Sequence, residues 1–438
     1  MQALALPVAS RDRLGARFAA GAVSVALLPL QLVMAAPTLL FLTALTAMLV
    51  WHPDISFHTI NRLTFGLLVL GVMSRAMVLK QRVFVMERAS WPMLGLTLMA
   101  VVSLMGRPFD GDTWGLLAMK YVVPFTLFHL AQLVFGEEKR LRQFEIFALV
   151  VLAYLSFTAI AFLVGARALI FPQFILDPNL GYHADRARGP FLQAVANGVS
   201  LNLLGVLALH SYRRGTRGLA VAVLLASVPI AILATMTRAV WLSFAATVLV
   251  LVVLSKSRSL RRGVALVVVA GVGLAAVLSS SQAGGALMDR LQERQPVDFR
   301  QAVYAGGWQM FLERPLTGWG FHQMPPELPR YVDGFQGTVL YPHNTYLEVL
   351  VELGLVGLAL YVWLMWEMWR LGRGAVPARE SGGFLDREFH GLWPILLGIY
   401  WVNAAVVVMS YPFVNCLLFT MAGMLAAQRR RAEASGTC

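Results

Sequence analysis

Twelve apolar runs, each able to cross a lipid bilayer, constrain this chain more than any other feature it has. They fall at 18–51, 63–79, 91–105, 115–135, 144–166, 190–210, 219–236, 239–254, 263–280, 344–369, 391–409 and 413–427. A hydrocarbon core about 30 Å thick needs about 20 apolar residues in a helix. The 438 residues are 58% hydrophobic and only 13% charged, with mean hydropathy +0.67, more apolar material than a soluble surface can hide. The expectation is an all-α polytopic membrane protein of about twelve transmembrane helices, with one long insertion between spans nine and ten. Its units are helices one to nine in 1–280, a partly helical loop domain in 281–343, and helices ten to twelve with a tail in 344–438.

A net charge of +13 could signal nucleic acid, but the placement of the charges argues against it. Arg11, Arg13 and Arg17 precede the first run; Lys80, Arg82 and Arg88 follow the second; Lys139, Arg140 and Arg142 follow the fourth. Arg213, Arg214 and Arg217, then Lys256, Arg258, Arg261 and Arg262, continue the series, which closes with Arg370, Arg373, Arg379 and Arg387 and with Arg429, Arg430 and Arg431. That puts 23 of 36 basic residues on alternate connections, the positive-inside pattern of a bacterial inner-membrane protein. Both termini are then cytoplasmic and 281–343 periplasmic. Run 18–51 is too long for one ordinary helix and tight for two, so it is read as one span plus a re-entrant or surface piece around Pro37. Its stretch "RFAAGAVSVALLPLQLVMAA" mimics a signal peptide, but removing it would invert the agreement with the basic loops.

Nothing points to a metal or nucleotide. Of the two cysteines, Cys416 lies in the last run and Cys438 in the tail, which makes a structural disulfide improbable. There is no CxxC, HExxH, P-loop or GxGxxG after a strand, no acidic cluster suited to Mg²⁺ or Mn²⁺ on the outer side, and no internal repeat. No metal and no other cofactor is expected.

The informative residues are polar groups on the outer side. "GTVLYPHNTYLEVLVELGLVGLALYV" (337–362) carries His343, Asn344, Glu348 and Glu352 into an apolar helix, and ionisable groups at membrane depth are costly and seldom idle. Pro342 suits the first helical position, which would put His343 in the positive first turn and favour a neutral ring able to take a proton. Asn344, Glu348 and Glu352 recur every fourth residue and form a stripe, either functional or a polar seam between helices; Gly354 and Gly357 would allow close packing. Arg188 and Arg238 abut apolar runs, and Arg300 sits in a predicted helix of the insertion. Arg186, Arg290, Arg294, Arg314 and Arg330 fit interfacial arginines that reach lipid phosphates, Arg186 also as support beside Arg188. His322 reads as a loop histidine.

These stretches resemble the O-antigen ligase and polymerase superfamily. "YPHNTYLEVLVELGLVG" is similar to its HN-x-x-L-x-x-x-x-E-x-G-x-x-G signature, "TMTRAVWLSF" to its S/T-R-x-x-W/L element, and "WQMFLERPLTGWGF" to its P-x-x-G-x-G turn. "RARGPFLQAVANGVSL" is similar to an R-x-x-G-x-F…N stretch, with "LQAVAN" where many members carry Pro-Asn, which bears on Asn197. The resemblance spans roughly 60–427 and implies a GT-C-like glycosyltransferase using an undecaprenyl-diphosphate-linked glycan. It implies Arg188, Arg238 and Arg300 on the diphosphate, since planar arginine forks match phosphate oxygens, and His343 as the base that deprotonates the acceptor hydroxyl, with one inverting displacement. The expected activity is ligation to lipid A–core oligosaccharide. Polymerisation onto a second lipid-linked unit and transfer to a protein are alternatives within the superfamily. A lipid-linked glycan transporter is an alternative outside it, disfavoured by one-sided polar residues and the lack of related halves.

Overall fold

A chain in hydrocarbon must bond its own N–H and C=O groups, and a helix does so within one segment. The computed structural model describes residues 31, 33–50, 57–215, 218–254, 258–278, 285, 295–332, 340–374 and 382–434, and these are helical with no strand. In chain order the main helices are α1 (Pro37–Leu49), α2 (Phe57–Val78), α3 (Ser90–Met105), α4 (Gly111–Val134) and α5 (Glu138–Leu163). Then come α6 (Ala194–Arg213), α7 (Gly218–Ala234), α8 (Arg238–Leu254), α9 (Arg258–Leu278) and α10 (Gln295–Glu313). The last are α11 (Thr345–Leu371), α12 (Arg387–Ala404) and α13 (Pro412–Ala434). Five are long and apolar enough to cross a membrane: α2 from Ile60, α4, α5, α6 and α11; α1, α3, α7 and α8 are shorter apolar helices. The chain is thus a helical membrane protein. Most of the first half of run 18–51 lies outside the described residues, and Pro37 opens α1 at its first turn, where a missing N–H does no harm.

Helix starts follow side-chain chemistry. Asp110 accepts from Asp112 N and Thr113 N to cap α4, and Asp386 does the same for α12 through Glu388 N and Phe389 N, each satisfying donors that have no partner within the helix.

Two rims of the helix bundle are fixed by different chemistry. At the basic rim Arg213 pairs with Asp386, Arg214 bonds Glu145 at 2.9 Å and Glu138 at 3.2 Å, and Arg430 bonds Gln132 at 2.6 Å. Buried His390 joins Gly372 O and Gln428 Oε1 there. These contacts gather the starts of α5 and α12 with the ends of α4, α6, α11 and α13. The opposite rim, which carries His343 and is called the histidine rim below, is joined largely by backbone. Phe321 N donates to Ser103 Oγ at 3.0 Å, Thr345 Oγ1 donates to Val407 O at 2.9 Å, and Ala187 N donates to Ala234 O at 3.1 Å.

Residues 315–320 are spliced into α11. At Gly354 the backbone leaves the helix (φ 66°, ψ −166°), so the intrahelical bonds on both sides of it are lost. Trp319 N and Gly320 N donate to Val351 O (2.9 Å) and Glu352 O (2.8 Å), while Leu355 N and Val356 N donate to Pro315 O (2.8 Å) and Leu316 O (3.3 Å). The loop replaces the ladder that the break removes, as buried backbone requires. A Cβ on Gly354 would stand 2.2 Å from Leu316 O, and one on Gly318 (φ 72°) 2.4 Å from Glu352 O. The P-x-x-G-x-G turn is therefore a structural insert, and Gly354 serves a break instead of the close helix packing expected for it. Around it Val303, Met310, Phe311, Met324, Leu328 and Val351 form a small separate core under α10.

Candidate active site

His343 stands two residues before α11. Its backbone is in the left-handed region (φ 48°), uncommon for a side-chain-bearing residue and the kind of strain that clusters at functional sites. His183 (φ 55°) and His322 (φ 58°) share this conformation at the same rim. The first turn is capped by Asn344, whose side chain accepts from Leu347 N at 3.1 Å. Asn344 is thus a cap and not the head of the stripe, and Pro342 is not the first helical residue. His343 is half-buried, and Tyr304 Oη on α10 donates to its carbonyl at 3.3 Å.

The ring's pKa is depressed by a different cause from the helix field expected. Burial lowers the His343 pKa most, and the positive Arg300 and then His183 push it further below the ordinary histidine range. Two of these three groups come from distant chain segments, α10 and the loop before α6. Arg300 and His343, 43 positions apart, thus act on each other electrostatically. His183 was not read from sequence; a loop histidine outside any motif gave no signal.

Glu348, one turn into α11, receives Lys120 Nζ at 2.5 Å, with both side chains 7% exposed. Lys120 lies in Ala118–Val122, a π-helical stretch that widens α4 by a residue, a feature found mostly at functional or strained places. Glu352, 2% exposed, faces the same pair. The stripe is a polar seam to α4, with a cation the sequence reading passed over. A lone lysine inside run 115–135 was a signal in itself, but its partner lies 228 residues away.

Arg188 is 1% exposed. Its Nε donates to Ile175 O at 2.9 Å, Nη1 to Leu180 O and Nη2 to Asp177 O. The fork expected for a ligand closes the 175–188 loop, leaving two of its five N–H groups for anything else. Asn197, fully buried, donates to Ala187 O at 2.8 Å, and a Cβ on Gly189 (φ 58°) would meet it at 3.0 Å. That gives Asn197 the task of fixing the Arg188 turn from α6. Arg186 is buried beside Asp185, 3.6 Å from its carboxylate. Arg238, half-buried, is the first residue of α8. Its turn meets the Arg188 loop through the bond from Ala187 N to Ala234 O.

The remaining basic residues behave as surface groups. Arg314 lies over the Trp319 ring at 4.4 Å, and Arg330, 73% exposed, pairs with Glu327. Arg290 and Arg294 lie outside the described residues. His322 is held below its ordinary pKa by burial, and Glu348, Lys120 and Asp110 surround it electrostatically.

Residues 219–362 match the family model described as O-Antigen ligase. The match takes in Arg238, Arg300, the splice at 315–320, His343 and Glu348, and it leaves out Lys120, His183 and Arg188. No curated protein matches the chain.

Proposed function

From the match of residues 219–362 to the O-antigen ligase family model, we propose that this protein is an O-antigen ligase of the bacterial inner membrane. It transfers a glycan from undecaprenyl diphosphate to lipid A–core oligosaccharide on the periplasmic side. The observation that carries the reading is His343 in strained backbone at the entry to α11, its pKa pushed below the ordinary histidine range by burial and then by the charge of Arg300. A base and a positive group at one point suit a reaction that removes a proton and releases an anion.

His343 takes the proton of the acceptor hydroxyl as its oxygen attacks the anomeric carbon of the donor. The carbon–oxygen bond to the diphosphate breaks, and the electron pair leaves with the diphosphate. One displacement inverts the anomeric centre, and the imidazolium then passes its proton to water. Arg238 and Arg300 meet the developing charge as bidentate, permanently charged donors in a water-poor site. Arg188 shapes the neighbouring wall and offers its two remaining N–H groups; Arg186, Asn344 and Glu348 support the arrangement. No step calls for a metal. Twelve spans, with both termini cytoplasmic and 281–343 periplasmic, put the histidine rim where lipid-linked glycan is found. The test is transfer by the purified protein from lipid-linked glycan to lipid A–core in the presence of chelator. A new glycosidic bond with release of undecaprenyl diphosphate is expected. Movement of lipid without a new bond would make the protein a transporter, and loss of transfer on chelation would break the metal-free scheme.

A further inference from the structure

A cavity of about 610 Å³ opens at the histidine rim between α1, α2, α4, the 182–193 segment and the start of α13. Its walls are mainly apolar, with Met48, Phe65, Met119 and Val123 among them. Its volume lies within the range of built ligand sites. Two polar groups stand at one end. Asn61 is 9% exposed, lines the cavity, and its Oδ1 is buried with no hydrogen-bond partner, an arrangement that costs free energy unless a ligand fills it. The next residue, Arg62, is exposed at the cavity's edge, where it lines the opening and makes no hydrogen bond or ion pair among the described residues. Gly115 opposite leaves it room, since a Cβ there would stand 3.9 Å from Arg62 Nη2. Asp112 and Gln193 complete the polar end, and Tyr182 lies at the junction with the catalytic side, adjacent to His183 and near Tyr341.

We propose that this cavity binds a phosphate-bearing glycolipid, with its phosphate on Arg62, a sugar hydroxyl donating to Asn61 Oδ1, and its acyl chains along the apolar wall. The buried lone acceptor on Asn61 calls for a donor, and the guanidinium of Arg62 at the mouth, without a carboxylate partner, is placed to meet an anion. The long apolar wall calls for a lipid, and no simple anion satisfies all three. This identification of the lipid with the acceptor rests on the transferase reading. The donor's diphosphate belongs with Arg238 and Arg300, so the second lipid needs its own berth. A lipid held here presents its sugars past Tyr182 toward His343.

The experiment is native mass spectrometry of the purified protein titrated with lipid A and, separately, with phosphatidylglycerol. Arg62→Ala is expected to weaken lipid A binding about 10- to 100-fold, the scale of a charged hydrogen bond, with Arg62→Lys between it and wild type. Ala118→Phe, which fills the cavity from α4 and leaves Arg62 in place, is expected to do the same and keeps the test open if Arg62→Ala fails to fold. Phosphatidylglycerol binding should be unchanged in all three, and Arg330→Ala should bind lipid A like wild type. Equal lipid A binding by wild type, Arg62→Ala and Ala118→Phe overturns the site. Equal loss of both lipids overturns the glycolipid assignment. Arg62-dependent lipid A binding without any transfer product leaves the site standing and removes the ligase reading; transfer with an acceptor KM indifferent to Arg62 does the reverse.

Discussion

A histidine can take a proton from a hydroxyl only while its ring is neutral, so in the proposed reaction the environment of His343 sets the pH range. His343→Ala is expected to lower the transfer rate about 10²–10⁴-fold, the usual worth of a general base, in a protein that still purifies as a single species. Near-normal turnover would move the base elsewhere. Because burial, Arg300 and His183 depress the His343 pKa, the ring stays neutral as pH falls to below the ordinary histidine range. The acid limb of kcat/KM should accordingly lie below about 6.5, the unperturbed value. Arg300→Gln removes a positive neighbour, makes protonation easier and so raises that pKa; its acid limb should move to higher pH, beyond any loss of diphosphate binding. A limb that stays put would show that His343 is not the titrating base. For the arginines the discriminating change is lysine, which keeps charge and stem but loses the planar fork. Arg238→Lys should cost transfer about 10–150-fold, corresponding to about 1.5–3 kcal/mol for a charged hydrogen bond, while Arg330→Lys should be silent in the same assay. His343, Arg188 and Arg238 stood out in the sequence because each stands against an apolar run, and Arg300 because of its place in the insertion. What Arg188 does was not, since only the fold shows its fork closed on three carbonyls of its own loop.

Elements were legible where hydrophobicity alone decides them. The expected runs 190–210 and 344–369 became α6 and α11 to within four residues at each end. Capping and pairing were harder to see, because they depend on which oxygen finds which N–H in space. Asn344 looked like a member of a stripe and is a cap; Glu348 looked like a candidate for chemistry and holds Lys120. That pair makes a measurable demand. Burying one charge without its partner costs about 3–5 kcal/mol, whereas replacing both by apolar groups can be neutral. Lys120→Met should therefore lower the unfolding temperature in detergent sharply, and Lys120→Met with Glu348→Leu should recover most of the loss. If the double variant is as unstable as the single one, the pair does more than neutralise itself.

Seen whole, the molecule has one rim closed by arginine–carboxylate pairs and one closed largely by backbone, with the strained histidines on the second. The proposed orientation places the arginine rim in the cytoplasm, in keeping with the positive-inside rule. A reporter active only in the periplasm should work when fused near residue 300 and fail near 140, 215 and 380; activity at 380 would reverse the orientation and remove the site from its substrates. The splice at Gly354 has a further consequence, for biogenesis. At 27 residues, α11 would be about 40 Å long if unbroken, more than the hydrocarbon needs, and nothing in an isolated apolar helix would favour a left-handed glycine in its middle. Residues 315–320 leave the ribosome first, but their partners on α11 do not yet exist. The bonds that replace the ladder at Gly354 can therefore form only once α11 has been made and the turn docks on it. Assembly of the histidine rim thus waits on the synthesis of α11, the segment that also carries Glu348 and follows His343.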